Sequence, residues 1–168
     1  MFRKSTFSDV KTIMKIIKQA QESLKELGID QWQDDYPNSQ VIENDINNDC
    51  SYVLKKDNEI ISTIAISFDG EESYENISEG EWITDSNSKY AVIHRVAASD
   101  SVRGSGIANK LFKYAENLCK ENNIPSVKID THEGNIPMQK FLNKNGYKYC
   151  GVIYLENGDK RVAFEKVL

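Results

Sequence analysis

Apolar residues recur at three- and four-residue steps through Val10, Ile13, Met14, Ile16, Ile17, Ala20, Leu24 and Leu27, the spacing of a helix with one buried face. Ser8 stands where an N-cap belongs, and Gly28 where a helix end takes a left-handed residue. Phe2-Arg3-Lys4 ahead of it predicts a short strand. Gly28 to Pro37 is aromatic, acidic and without period, which predicts a loop, and Ser39 to Asn48 a short helix. Two β-rich runs, Ser51 to Lys56 and Glu59 to Phe68, joined by Lys-Asp-Asn, predict an antiparallel hairpin. Asp69 to Lys89 is acidic and turn-rich, with Trp82 inside it.

The second half alternates more regularly. Tyr90 to Ala98 predicts a strand, and Ile107, Leu111, Tyr114, Ala115 and Leu118 mark a helix to about Asn122. Val127 to Thr131 follows as a strand, Asn135 to Lys144 as a helix stopped by Asn145-Gly146, then two strands, Tyr147 to Leu155 and Arg161 to Val167. The order β-α-α-β-β-β-α-β-α-β-β implies an α+β (mixed α/β) fold. Its central sheet is mostly antiparallel, with one parallel β-α-β crossover and helices on both faces. The parallel pair is the place where a ligand would meet a helix N-terminus.

Composition adds limits. The chain has 168 residues, 39% hydrophobic and 28% charged, enough for one domain over 1–168 with its own core. No uncharged apolar run approaches a membrane span and the start lacks a signal-peptide core, so a cytoplasmic protein is expected. Cys50, Cys119 and Cys150 are scattered without C-x-x-C spacing, which points away from disulfides and from a metal site. A net charge of −5 argues against nucleic acid as a partner. Residues 1–89 carry 9 Lys/Arg against 18 Asp/Glu, and residues 90–168 carry 12 against 8. The first half favours a cation and the second an anion, although two solvated faces would look the same.

The candidate chemistry starts at Val102-Arg103-Gly104-Ser105-Gly106-Ile107-Ala108. Two glycines one residue apart permit a tight turn whose N–H groups converge on an anion at the positive end of a helix. A Walker loop would need Lys-Ser/Thr after Gly106, where Ile107-Ala108 stands. A dinucleotide fingerprint would need Gly or Ala at 109, where Asn109 stands. An ordinary strand-to-helix turn uses the same glycines.

In context, Arg103-x-x-Gly106-x-Ala108 after a strand and before an amphipathic helix resembles the acyl-CoA signature of the GNAT superfamily of N-acetyltransferases. Val127 to Thr131, Asn135 and Asn145-Gly146-Tyr147 follow in the order of that family. Ile-Asp-Gln-Trp near the start and Asp-Thr-His-x-x-Asn-x-x-Met-Gln later are similar to a group of bacterial members. The resemblance implies acetyl-CoA as cosubstrate, no metal, and a pantetheine arm between two splayed parallel strands, bonded to the backbone of Val96 and Ala98. It places the pyrophosphate on the amides of Arg103, Gly104, Ser105, Gly106, Ile107 and Ala108, with Asn135 on the pantetheine arm. The closing strands of such folds can pair between subunits, so a homodimer is a further expectation.

Acetyl transfer to an amine needs a base, a polarised carbonyl and a proton for the leaving thiolate. His94 and Glu81 are candidate bases, with His132 and Glu133 behind them. Period-two alternation puts His94 on one face with Val92, Val96 and Ala98, although a hydrogen-bonded strand histidine is the competing role. The family often places Tyr where Leu142 stands here, so Tyr147 or Tyr114 becomes a candidate acid, or water serves, or the thiolate leaves unaided. Tyr147 fits a core aromatic equally well. Leu142 also motivates the alternative of a non-catalytic acyl-CoA-binding sensor or assembly module. Trp32, Tyr36 and Trp82 are candidate walls for an acceptor, which the acidic half suggests is a small cationic amine or a protein or peptide amine.

Overall fold

A computed structural model describes Met1–Leu168. Seven strands and four α-helices follow one another as expected: β1 (Phe2–Lys4), α1 (Val10–Glu26), α2 (Ser39–Asn47), β2 (Ser51–Lys56), β3 (Glu59–Ser67), β4 (Ala91–Ala98), α3 (Ile107–Glu121), β5 (Ser126–Thr131), α4 (Ile136–Lys144), β6 (Lys148–Tyr154) and β7 (Lys160–Val167). The strand order is β1-β2-β3-β4-β5-β7-β6. β4 and β5 are parallel, with Ala91 opposite Val127 and Val92 opposite Lys128, so their ladder covers only the start of β4. β7 pairs antiparallel with both β5 and β6.

The chain divides into two compact units, Met1–Ile66 with His94–Ala115, and Ser67–Ile93 with Glu116–Leu168. In the first unit, the apolar stripe of α1 (Ile13, Ile16, Ile17) packs with Ile42 of α2, Val53 of β2 and Ala97 of β4. Ser8 is not the N-cap, because it lies inside the turn that precedes the helix. A 3-10 turn at Phe7–Asp9 precedes α1, and the Asp9 carboxylate accepts the Thr6 N–H at 2.8 Å and hydroxyl at 3.1 Å. Arg3 grips the same carboxylate at 2.7 and 3.0 Å and holds its pKa down to about 2. At the other end Gly28 takes φ 71°, its N–H bonding to Lys25 and that of Ile29 to Leu24, which closes the helix as expected.

In the second unit, Tyr74, Val92, Ile153 and Ala163 form the centre, with Ile77, Trp82, Tyr90 and Leu155 packed on it. Segment 69–90 supplies all three of these aromatics and is bound down by polar contacts. The buried Glu165 of β7 accepts the N–H groups of Ile83 (2.7 Å) and Thr84 (3.3 Å) and the Thr84 hydroxyl. Ser78 bridges to Val152 of β6. No helix is long and apolar enough to cross a membrane.

Candidate acetyl-CoA site

The loop before α3 is a string of short turns. Backbone bonds run from Val102 to Ser99, from Arg103 to Asp100 and from Ser105 to Val102. Gly104 (φ 75°) and Gly106 (φ 77°) both adopt the left-handed conformation that a side chain resists, and the space where a Cβ would project is open. Helix geometry leaves the first amides of α3 without an internal partner. The N–H groups of Gly104, Gly106, Ile107 and Ala108 are therefore the ones these turns do not use. The Arg103 and Ser105 amides bond inside the loop, and the Ser105 hydroxyl turns back to the Val102 carbonyl at 2.5 Å.

Gly104 and Gly106 are exposed, Ala108 is half-buried and Ile107 is buried, and amides at a helix N-terminus behind glycines with no Cβ in the way suit an anionic group such as a pyrophosphate. The Arg103 guanidinium is exposed and bonds to Asp100 at 2.6 Å and to Ser23 at 3.1 Å. That leaves it as a partly committed charge beside the loop.

β4, which leads to the loop, is not a regular strand. Arg95 has φ 51°, so the alternation expected to place His94 with Val96 and Ala98 does not carry across it. Nε and Nη2 of Arg95 each donate to the Asp45 carboxylate of α2 at 2.5 Å, and Nη1 donates to the Tyr36 hydroxyl at 3.2 Å. Neither Arg95 nor Asp45 was a candidate in the sequence. The available signal was a charged residue inside the apolar run Val92 to Ala98. His94 is half-buried on this strand.

Of the candidate acceptor walls, Trp32 is half-buried against the α1–α2 cluster and Tyr36 is exposed and bound to Arg95. Trp82 belongs to the other unit, where the buried Lys128 ammonium lies 4.4 Å from its ring centroid and 3.9 Å from that of Tyr90. The protein thus covers a face of each ring with its own cation. Burial lowers the Lys128 pKa. Trp82 Nε1 donates to the Tyr74 carbonyl at 2.8 Å, and the Tyr74 hydroxyl donates to Asp130 at 2.6 Å.

Tyr147, a candidate proton donor, is 1% exposed and donates to Glu116 at 3.1 Å, beside Lys166 at 2.9 Å from the same oxygen. Burial and Glu116 push its pKa further up, so its proton is held inside the core. Leu142 is fully buried. Glu81 is exposed, Glu133 pairs with Lys160 at 3.1 Å, and His132 Nδ1 accepts the Gly134 N–H at 2.9 Å. The Asn135 side chain caps α4 by accepting the Met138 N–H at 3.3 Å.

Residues 15–147 match the Acetyltransferase (GNAT) family. The chain belongs to the GNAT acetyltransferase family. As a GNAT enzyme it is an N-acetyltransferase, and its relatives agree. A GNAT-family acetyltransferase from Streptococcus agalactiae 2603 is 35% identical, with a TM-score of 0.90 over 100% of this chain and 95% of that one. A GNAT-family structure from Listeria monocytogenes 4b F2365, 20% identical, shares the fold with a TM-score of 0.78 over 100% and 94%. The S-alkylcysteine N-acetyltransferase of Bacillus subtilis is 26% identical over 100% of this chain and 89% of its own length.

Proposed function

We propose that this GNAT enzyme transfers an acetyl group from acetyl-CoA directly to a primary amine, within a ternary complex. The observation that carries the proposal is the pair of left-handed glycines, Gly104 and Gly106, opening onto the unused amides at the start of α3. Those amides hold the pyrophosphate, with Arg103 adding charge, while the backbone of Val96 and Ala98 holds the pantetheine arm. Acetyl-CoA supplies the acetyl group as a thioester with a thiolate as leaving group. A backbone N–H near Ala98 stabilises the negative charge that develops on the carbonyl oxygen. His94 or Glu81 takes the ammonium proton, directly or through water.

Direct transfer is supported by the state of the two buried thiols. Burial raises Cys150 to about 11 and Cys119 to about 12, so both stay protonated near neutrality and are poor nucleophiles. With Tyr147 committed to Glu116, the thiolate is protonated by solvent. For the acceptor, the Bacillus relative favours the α-amine of an S-alkylcysteine. The acidic first half, including the exposed Asp34 and Asp35, favours a small cationic amine.

Thiol release from acetyl-CoA, measured with S-methylcysteine, 1,4-diaminobutane and a peptide with a free N-terminus, tests the proposal. Amine-dependent release is expected with at least one of them, and the preferred acceptor decides between the two classes. Folded enzyme that binds acetyl-CoA yet releases no thiol with any amine would overturn catalysis in favour of a sensor.

A further inference from the structure

Inside β4, Arg95 takes a left-handed backbone conformation, φ 51°, that glycine adopts freely and a residue with a Cβ adopts only at a cost. The side chain supplies the reason for an arginine there. Its planar fork meets both oxygens of Asp45, a carboxylate 8% exposed on α2, and its remaining nitrogen reaches the Tyr36 hydroxyl. A lysine could offer the charge but not the fork. Tyr36 closes a loop in which Trp32, Asp34 and Asp35 are also left-handed. The carbonyls of Tyr36 and Pro37 both accept from Gln21 of α1, at 2.9 and 3.2 Å. One guanidinium therefore ties together the irregular point of β4, helix α2 and the loop after α1.

We propose that Arg95 is a positioning residue for acetyl transfer: through Asp45 it fixes Val96–Ala98 of β4, and through the Tyr36 hydroxyl it couples that stretch to the loop 29–37. The inference rests on the acetyl-CoA function proposed above. The β4–β5 ladder stops at Val92, ahead of the irregular point at Arg95, and backbone groups outside a ladder are what a thioester carbonyl and pantetheine amides require. The two arms have separable consequences. The Asp45 arm governs the strand that faces the cosubstrate, and the Tyr36 arm governs only the loop.

The test uses full-length protein and two readouts: amide hydrogen exchange without ligand, and steady-state kinetics with acetyl-CoA and the amine panel. The double variant Arg95→Gly/Asp45→Asn leaves no unpaired charge and suits the left-handed backbone. In it, exchange of the peptide containing Val96–Ala98 should rise about tenfold or more and kcat should fall by about tenfold or more. Tyr36→Phe should raise exchange only in 29–37 and raise the acceptor KM about three- to tenfold, leaving kcat and the acetyl-CoA KM within about twofold.

Wild-type exchange in the double variant, or a Tyr36→Phe effect spread equally over both substrates, would overturn the clamp. Should the double variant unfold, Arg95→Lys decides: protection unchanged at Val96–Ala98 overturns the proposal, and faster exchange there with lowered kcat supports it. Variants that match an active wild type defeat the clamp alone. Substitutions that change exchange as expected, alongside a wild type that releases no thiol with any amine, defeat the acetyl-transfer function and the positioning role together.

Discussion

The glycine loop before α3 and the aromatic cluster of segment 69–90 both gather charge-binding groups, and they end in opposite states. The loop presents backbone donors from Gly104, Gly106, Ile107 and Ala108, with open space in front of its glycines. The cluster of Tyr74, Trp82 and Tyr90 is already satisfied. Lys128 lies over two of its rings, Trp82 donates to Tyr74, and Tyr74 donates to Asp130. A group of donors with no partner of its own invites a ligand, whereas a group whose charges and hydrogen bonds close on themselves holds the fold. Aromatic residues in a loop are therefore weaker evidence for a binding site than two glycines and a helix end.

Substitutions in each region should separate these roles. The largest effect is expected from Gly106→Trp, which puts a bulky side chain and a strained φ where the pyrophosphate would sit. CoA affinity should fall by about 100-fold or more, about 2.7 kcal/mol, while the strained φ lowers thermal stability by only about 1–2 kcal/mol. Asp9→Asn comes next and acts on stability alone. The folded pKa of Asp9 is depressed from 3.8 to about 2, so its contribution is full well above pH 3.8 and is lost as pH falls toward 2. The variant should lose about 2 kcal/mol at pH 7 and show a flatter acid-unfolding curve than wild type.

Trp82→Phe should cost about 1–2 kcal/mol through the lost bond to Tyr74 and the weaker cation–π contact, measured by denaturant unfolding. CoA affinity should be unchanged. A marked loss of CoA binding in this variant would erase the contrast between the two regions. The smallest effect is expected from Asn135→Ala, about 1 kcal/mol for the lost cap. A fall in CoA affinity beyond that would place its side chain on the cosubstrate as well.

The element order was legible because α1 and α3 carry unbroken apolar stripes and the strands are bounded by turn residues such as Asp57-Asn58, both left-handed in the hairpin. The glycine loop was legible for the same local reason. Strand order was less so: β7 lies between β5 and β6 through pairings far apart in sequence. The start of α1 was misplaced because Thr6 and Asp9 cap a 3-10 turn, a feature with no apolar period. Arg95 disrupts the alternation that made β4 recognisable, and its meaning depends on Asp45, fifty positions earlier. Lys128 sits within an otherwise apolar strand, and only the folded chain brings Trp82 and Tyr90 over it.

The most direct measurement is calorimetric titration of acetyl-CoA, CoA and ATP into wild-type protein and Gly106→Trp. Saturable binding of acetyl-CoA and CoA by wild type, lost in the variant, with ATP much weaker, is the predicted result. Folded wild type that binds neither acetyl-CoA nor CoA, or a variant that binds them as tightly as wild type, would contradict the assignment of the glycine loop as the acetyl-CoA site.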